Sequence, residues 1–482
     1  MFQALARYHD LDWTPFHTPG HKYGRGAAAP FASLMGAALQ LDLTELDETD
    51  NLHAPEGAIA EAQSLAARAF GADETYFLVN GSTVGLHAMI MAACRPGEAI
   101  ALSRATHLSA MGGILLAGAR PVFVGAGYDA SWQLPADPTP EELRLAFQDP
   151  AVRAVLVTRP DYFGRSADLA ALAAVCRDYD RLLLVDEAHG AHLGLDPRLP
   201  SPALALGADA VVQSTHKLLS AMTQASMLHL KGDRMDSRHV RKLLRLLQTT
   251  SPSFVLLASL DVAREQYEAQ GAHLWHETLD LVAEARRRLA THGIRCLGPD
   301  HGPQASWDPA KLVVDLDGTG HDGYAVAEAL HQRLIQVEIA TPRYVGALVS
   351  PGNTQEDLER LVTALLSALG EPGEAPPALP VPPAVPELAV LPRDAYFGRS
   401  RTVPLRQAEG EVACELVCPY PPGIPALVPG ERITAEVLEY LDALRGLGAS
   451  FVGPEDPSLE TIQVCSYPTS IPSSPRAAAT SS

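Results

Sequence analysis

The chain has 482 residues, with 37 basic and 57 acidic side chains and a formal net charge of −20 at neutral pH, long enough for two or three domains of about 150 residues. The acidic excess is spread out and no basic cluster occurs, which argues against nucleic acid and anionic membrane as partners; it serves solubility first, although such a field also favours the approach of a cationic small molecule. The amino terminus has no long apolar run, and nowhere do roughly eighteen apolar residues follow one another, so a cytoplasmic protein is expected. The cysteines at 94, 176, 296, 414, 418 and 465 form no Cys-x-x-Cys pair. They read as buried free thiols of a reducing compartment, and no zinc or other metal site is expected.

Residues 14–26 hold two prolines, three glycines and two histidines, a composition that excludes helix and regular strand and leaves an ordered arm or a disordered tail. Residues 41–50 carry five carboxylates and read as a solvated turn. From Pro55 to Phe70 the apolar residues Ile59, Ala62, Leu65, Ala66 and Phe70 recur at helical spacing, with Gly71 placed to end the helix.

Short apolar strands then alternate with amphipathic helices. Strands are expected at 75–79, 99–102, 121–124, 154–157, 182–185, 210–212 and 226–230, with helices running to Cys94, over 108–117 and over 168–177. That alternation predicts an α/β fold around a mostly parallel sheet covered on both faces. After about residue 275 a small α/β domain follows, with strands at 311–316 and 335–339 and helices at 324–334 and 354–369. A proline-rich stiff linker is read over 371–392. The loop from Cys418 to Glu431, with five prolines and two glycines, is rigid and too apolar for a linker. The expected plan is an arm over 1–55, a large domain over 56–275, the small domain over 276–370, the linker over 371–392, a C-terminal α+β domain over 393–466 and a disordered tail over 467–482.

Within this plan the chemistry converges on Lys217. It stands in Ser214-Thr215-His216-Lys217, just past an apolar strand and ahead of small and hydroxylic residues, a poor setting for a solvated lysine. Asp186 ends the strand 181–185 and opens Asp186-Glu187-Ala188-His189-Gly190, at the carboxyl edge where open α/β sheets place ligands. The Asp-Glu-Ala-His run also resembles a helicase metal box, but the phosphate-binding Gly-Lys-Ser/Thr loop this requires is missing. The turn Asn80-Gly81-Ser82-Thr83 leaves a strand and opens a helix, so it suits either a phosphate cradle or plain capping by Ser82 or Thr83. His107, in a loop between strand and helix, is either structural or placed to stack on a flat ring; His189 and His192 are equally ambiguous. A lysine for the aldehyde carbon, donors for a phosphate and an acid for a ring nitrogen are together what pyridoxal 5'-phosphate needs.

The chain closely resembles the class-I family of pyridoxal-phosphate decarboxylases acting on ornithine, lysine and arginine, which has the fold-type I architecture of the aspartate aminotransferase superfamily. The segment Val212-x-Ser214-x-His216-Lys217-x-x-Ser220-Ala221-x-Thr223-Gln224-Ala225-Ser226 matches the family's lysine motif at each specified position. Similarity continues through His17–Lys22, Asp42–Leu46, the Asn80 turn, the Asp186 strand and Tyr420–Pro425.

The resemblance implies Lys217 as the Schiff-base lysine, Asp186 on the pyridine nitrogen and His107 stacked on the ring, with catalytic roles for these three and His216. Gly81, Ser82, Thr83, Ser214, His216 and His189 complete the cofactor-binding set. It implies a short form without the family's amino-terminal wing domain, and a homodimer or higher homo-oligomer. Leu108 departs from the lysine usual after the stacking histidine. The expected reaction is decarboxylation of a basic amino acid, arginine to agmatine first, with lysine and ornithine as alternatives. Glu415 or Glu431 would meet the distal cationic group. The rival readings are an aminotransferase or aldolase on the same fold, for which Arg343 could be mistaken for the α-carboxylate arginine, and a non-catalytic regulatory paralogue.

Overall fold

The computed structural model describes residues 1–11, 13–125, 127–129, 131–298, 306–370, 380–420 and 424–466. Residues 371–379 of the expected linker, 421–423 of the proline-rich loop and the tail 467–482 lie outside them. The chain divides into two compact units, one of Met1–Ala93 with Ala154–Pro376, the other of Cys94–Arg153 with Pro377–Ser482.

In the first unit the strand order is Glu74–Leu78, Ser226–Leu230, Ala210–Gln213, Leu182–Asp186 and residues 154–158 of the strand Val152–Thr158. The last three run parallel, with Thr158 opposite Asp186 and Asp186 opposite Val212. Ser226–Leu230 is antiparallel to both of its neighbours, so the sheet is mixed at that edge. In the second unit Ala99–Ser103 and Arg120–Val124 pair in parallel. The continuous apolar runs explain the parallel part: Leu183, Leu184, Val185, Val211 and Val212 have no exposed surface, as strands covered on both faces require.

The helix Ala58–Phe70 turns Ile59, Ala62, Ala66 and Phe70 inward and ends at Gly71 in the left-handed conformation (φ 71°), the cap its sequence predicted. The helix Gly81–Ala93 lies hard against the strands. A Cβ at Gly85 would come within 2.6 Å of Val212 Cγ2 and 2.8 Å of Leu78 Cδ1. Only a glycine permits that approach, and it fixes the start of this helix against the strand that leads to Lys217.

A single 38-residue helix, Phe254–Thr291, runs through the boundary expected at 275. Its first turns pack Phe254, Leu257 and Leu260 with the helix Ala58–Phe70, while Val282, Ala285 and Leu289 pack onto the next core. Two cores thus share one rod, which runs on through residues 265–270, none of them buried. The second core covers an antiparallel sheet ordered Arg295–Cys296, Lys311–Asp315, Tyr344–Leu348, Ile339–Ala340, flanked by helices Gly323–His331 and Gln355–Gly370. The strand expected over 335–339 shrinks to Ile339–Ala340. The helix before it closes through Ile335 N donating to Leu330 O, with Leu334 at positive φ and 87% exposed, and this takes up the residues in between.

Residues 14–26 form turns, as their composition required. His17 Nε2 meets Tyr8 Oη at 3.1 Å, and His21 Nε2 meets Asp42 Oδ2 at 3.0 Å, so the segment is a shaped arm. In the second unit the C-terminal part pairs Ser400–Pro404 with Thr461–Cys465 and Cys418–Tyr420 with Ser450–Val452, around the helix Ala435–Gly446. Its core holds Val417, Leu427, Val437, Leu441 and Ile462.

Candidate active site

The parallel strands deliver the polar residues to one edge. Asp186 is the last residue of Leu182–Asp186 and only 2% exposed. Its Oδ1 accepts from Ala188 N at 3.1 Å. One strand over, Ala210–Gln213 passes into the short helix Thr215–Leu218 that carries Lys217. Lys217 is half-buried, and its Nζ lies 2.9 Å from His189 Nε2 in the turn that follows Asp186. Burial pushes the Lys217 amine below its ordinary value, with Asp186 and Glu338 opposing that shift. A lysine whose charge is disfavoured by desolvation holds its lone pair more readily, as a nucleophilic amine must.

The phosphate-binding expectation rests on the other side of the same strand. Gly81, at φ 74°, opens the helix Gly81–Ala93 and donates its N–H to Gln224 O at 3.1 Å. Ser82 Oγ and Ser214 Oγ lie 2.8 Å apart, and Thr83 is exposed on the first turn of the helix. The His216 ring donates Nδ1–H to Ala225 O at 2.9 Å, and burial lowers its proton affinity. Two hydroxyls, a helix N-terminus, a buried carboxylate and a desolvated amine make a donor set that fits an aldehyde cofactor bearing a phosphate.

Residues to which the sequence assigned no individual role brace this edge. Tyr162 sets its ring edge-on to His189, with centroids 5.8 Å apart, and its Oη donates to Glu338 O at 2.8 Å. Lys311, 2% exposed, donates Nζ–H to Asp161 O at 2.8 Å and Tyr162 O at 3.0 Å, and burial pushes its amine down to about 8. The available signal was positional, since the turn 158–164 leaves a parallel strand at the same edge as Asp186. Behind the edge, Glu187 Oε2 accepts from Gln213 Nε2, Gln213 Oε1 meets His229 Nε2, and His229 Nδ1 meets Thr75 Oγ1, over 2.8, 3.1 and 2.8 Å. His192, fully buried, stacks on Trp275 and lies 3.1 Å from Asp308 Oδ2, a core position.

Other expected residues are held in contacts of their own. His107 belongs to the second unit, where it caps the helix Leu108–Ala117: Nδ1 accepts from Ser109 N at 3.2 Å and lies 2.6 Å from Ser109 Oγ. Glu431 is 1% exposed, and both its oxygens are engaged. Arg104 grips it with Nη1 at 2.6 Å and Nη2 at 2.9 Å, and Val428 N donates at 2.9 Å. Glu415 accepts from Gln463 N at 2.9 Å and Glu455 N at 2.8 Å. The substrate contact expected of Glu415 and Glu431 finds no support in this geometry, because each carboxylate already serves as an internal tie. Arg343, the residue open to confusion with a carboxylate-binding arginine, forms a fork with Asp315 at 2.8 and 3.0 Å.

Residues 1–357 match the family model described as Orn/Lys/Arg decarboxylase, major domain, and residues 379–457 match that of the Orn/Lys/Arg decarboxylase C-terminal domain. The chain is similar to the arginine decarboxylase of Bacillus subtilis, 37% identical over 96% of this chain and 97% of the relative. It is 38% identical to the arginine decarboxylase of Halalkalibacterium halodurans, over 96% and 97%. The lysine decarboxylase LdcA of Pseudomonas aeruginosa is 26% identical, over 94% of this chain and 76% of that one. Among solved structures, the lysine decarboxylase LdcF of Francisella novicida superposes with a TM-score of 0.83 at 22% identity, covering 96% of this chain and 80% of that one, a likeness of fold. With the family model covering most of its length and these relatives matching nearly end to end, the chain belongs to the Orn/Lys/Arg decarboxylase family.

Proposed function

We propose that the chain is a pyridoxal-phosphate-dependent decarboxylase that converts arginine to agmatine and carbon dioxide. The observation that carries the reading is the desolvated Lys217 amine beside His189, on the same strand edge as the buried Asp186. The choice of arginine rests on four relatives named arginine decarboxylase, 35 to 38% identical over 89 to 96% of this chain. Lysine and ornithine are the second reading, from more distant relatives named for those substrates at 26 and 25% identity.

When bound, pyridoxal phosphate supplies the electron sink for the pair left on Cα as carbon dioxide departs. The chain supplies the rest. Lys217 Nζ would hold the aldehyde carbon and give it up to the substrate amine, a step that its suppressed charge favours. Asp186, a buried carboxylate placed beside the ring nitrogen, would keep a proton on that atom. Ser82, Thr83, Ser214, His216 and the Gly81 N-terminus of the helix would hold the phosphate, and His107 would stack on the ring. Lys217 Nζ and His189 Nε2, in hydrogen-bond contact, give a path along which the proton needed at Cα can be returned. The reading carries with it a cytoplasmic homodimer, which light scattering checks.

The test is carbon dioxide release by the purified, cofactor-loaded protein offered arginine, lysine and ornithine separately, with the amine product identified. Arginine is expected to give the highest kcat/KM. Release from lysine or ornithine alone would move the substrate, and release from none, with the cofactor bound, would refute the reading.

A further inference from the structure

Two cysteines that the mechanism leaves unused meet inside the second unit. Ala413 bridges Val464, and around that bridge Cys414 N donates to Gln463 O and Cys465 N donates to Val412 O, each at 2.9 Å. Ala413 and Val464 face one side of this antiparallel pairing, so Cys414 and Cys465 are diagonal neighbours on the other side. Their sulfurs are 2.9 Å apart, which is about 0.9 Å beyond a bonded sulfur pair. The two thiols are 5% and 8% exposed and pack with Ala389, Ala395 and Val412.

We propose that Cys414 and Cys465 are an oxidation site, at which a small peroxide joins them in an intrachain disulfide. The sulfurs already meet, so closure needs only about 0.9 Å of further approach. Cys465 reacts first, as the more exposed of the two. Its Sγ attacks one peroxide oxygen and breaks the O–O bond, giving a sulfenic acid and a hydroxide that leaves as water with the thiol proton. Cys414 Sγ then attacks the Cys465 sulfur, the S–S bond forms, the S–O bond breaks, and a second water carries off the Cys414 proton. Two electrons pass from the two thiols to one hydrogen peroxide. Burial admits an oxidant of that size in preference to a bulky thiol disulfide.

The new bond would span 51 residues of sequence and tie the strand Thr461–Cys465 to the segment that also carries Glu415, itself held by Gln463 N. It constrains the unfolded chain, so the oxidised protein should melt higher than the reduced one.

The test exposes the full-length protein to hydrogen peroxide, denatures it in an alkylating agent, and maps the peptides by mass before and after dithiothreitol. Alkylatable thiols are expected to fall from six to four, with one dithiothreitol-reversible peptide pair containing residues 414 and 465 and a raised melting temperature. Cys414→Ser should keep its remaining thiols unpaired and show no reducible rise in melting. Six thiols still alkylatable, a different pairing, or Cys465 driven to sulfinic acid without Cys414 would each overturn the proposal. If the variant fails to fold, the wild-type peptide map decides alone.

Discussion

The first unit and the second both bury carboxylates that accept from main-chain N–H groups, but the surroundings differ in kind. Asp186 accepts from Ala188 N at an edge where polar side chains meet one another: the Lys217 amine on the His189 imidazole, hydroxyl on hydroxyl. Around Glu431 and Glu415 every oxygen is closed by a main-chain N–H or by the Arg104 fork. A buried charge is therefore not by itself a sign of function. What distinguishes the Lys217 edge is that its partners are groups a ligand can replace, whereas removing a partner from Glu431 leaves an uncompensated charge.

Substitutions on the two sides of this comparison should separate cleanly. Lys217→Ala is expected to cost at least about a thousandfold in carbon dioxide release and to remove the visible absorbance of lysine-linked cofactor, with the melting temperature little changed; retained turnover would collapse the distinction. Asp186→Ala should keep cofactor, measured by its absorbance, and lose roughly a hundredfold in kcat.

In the second unit the effect should move from rate to stability. Glu431→Ala is expected to lower unfolding free energy by about 3 kcal/mol, read by urea denaturation, with KM unchanged in whatever folded protein remains. A rise in KM would restore the substrate role for this carboxylate.

The network behind the edge makes a pH prediction. His229 is fully buried, and burial holds its imidazole down to about 3 from an ordinary 6.5. The unfolded chain takes up that proton first as pH falls, so stability should decline from about pH 6.5 to about pH 3. Glu187, pushed up to about 7 from an ordinary 4.5 by burial, acts in the opposite sense. Its contribution is present below about pH 4.5 and is lost as pH rises through about 7. His229→Gln should remove the first slope and leave the second, which urea midpoints at several pH values will show. The smallest effect is expected from Glu415→Gln: about 1 kcal/mol of stability and no change in kcat or KM.

Much of this contrast was legible in the sequence. Runs of apolar residues ending in Asp186 or leading to Ser214–Lys217 announce parallel strands and mark the edge where they stop, because side-chain burial on both faces leaves no alternation to confuse the reading. Gly71 as a helix end and the absence of regular structure over 14–26 were equally local. The roles of Tyr162 and Lys311 were not, since they depend on a strand from the second core reaching the turn after another strand, a contact between residues about 150 apart. The internal tie of Glu431 was hidden for the same reason: a carboxylate near a proline-rich loop does not reveal in sequence that Arg104 will fold onto it. The shared helix Phe254–Thr291 hid a change of core because no proline interrupts it.

The most direct test of the account is to load the protein with pyridoxal phosphate, fix the lysine linkage by borohydride reduction, and locate the modified peptide by mass. The account predicts the pyridoxyl group on Lys217 alone. Modification of the other buried amine at this edge, Lys311, or of no lysine at all, would contradict it.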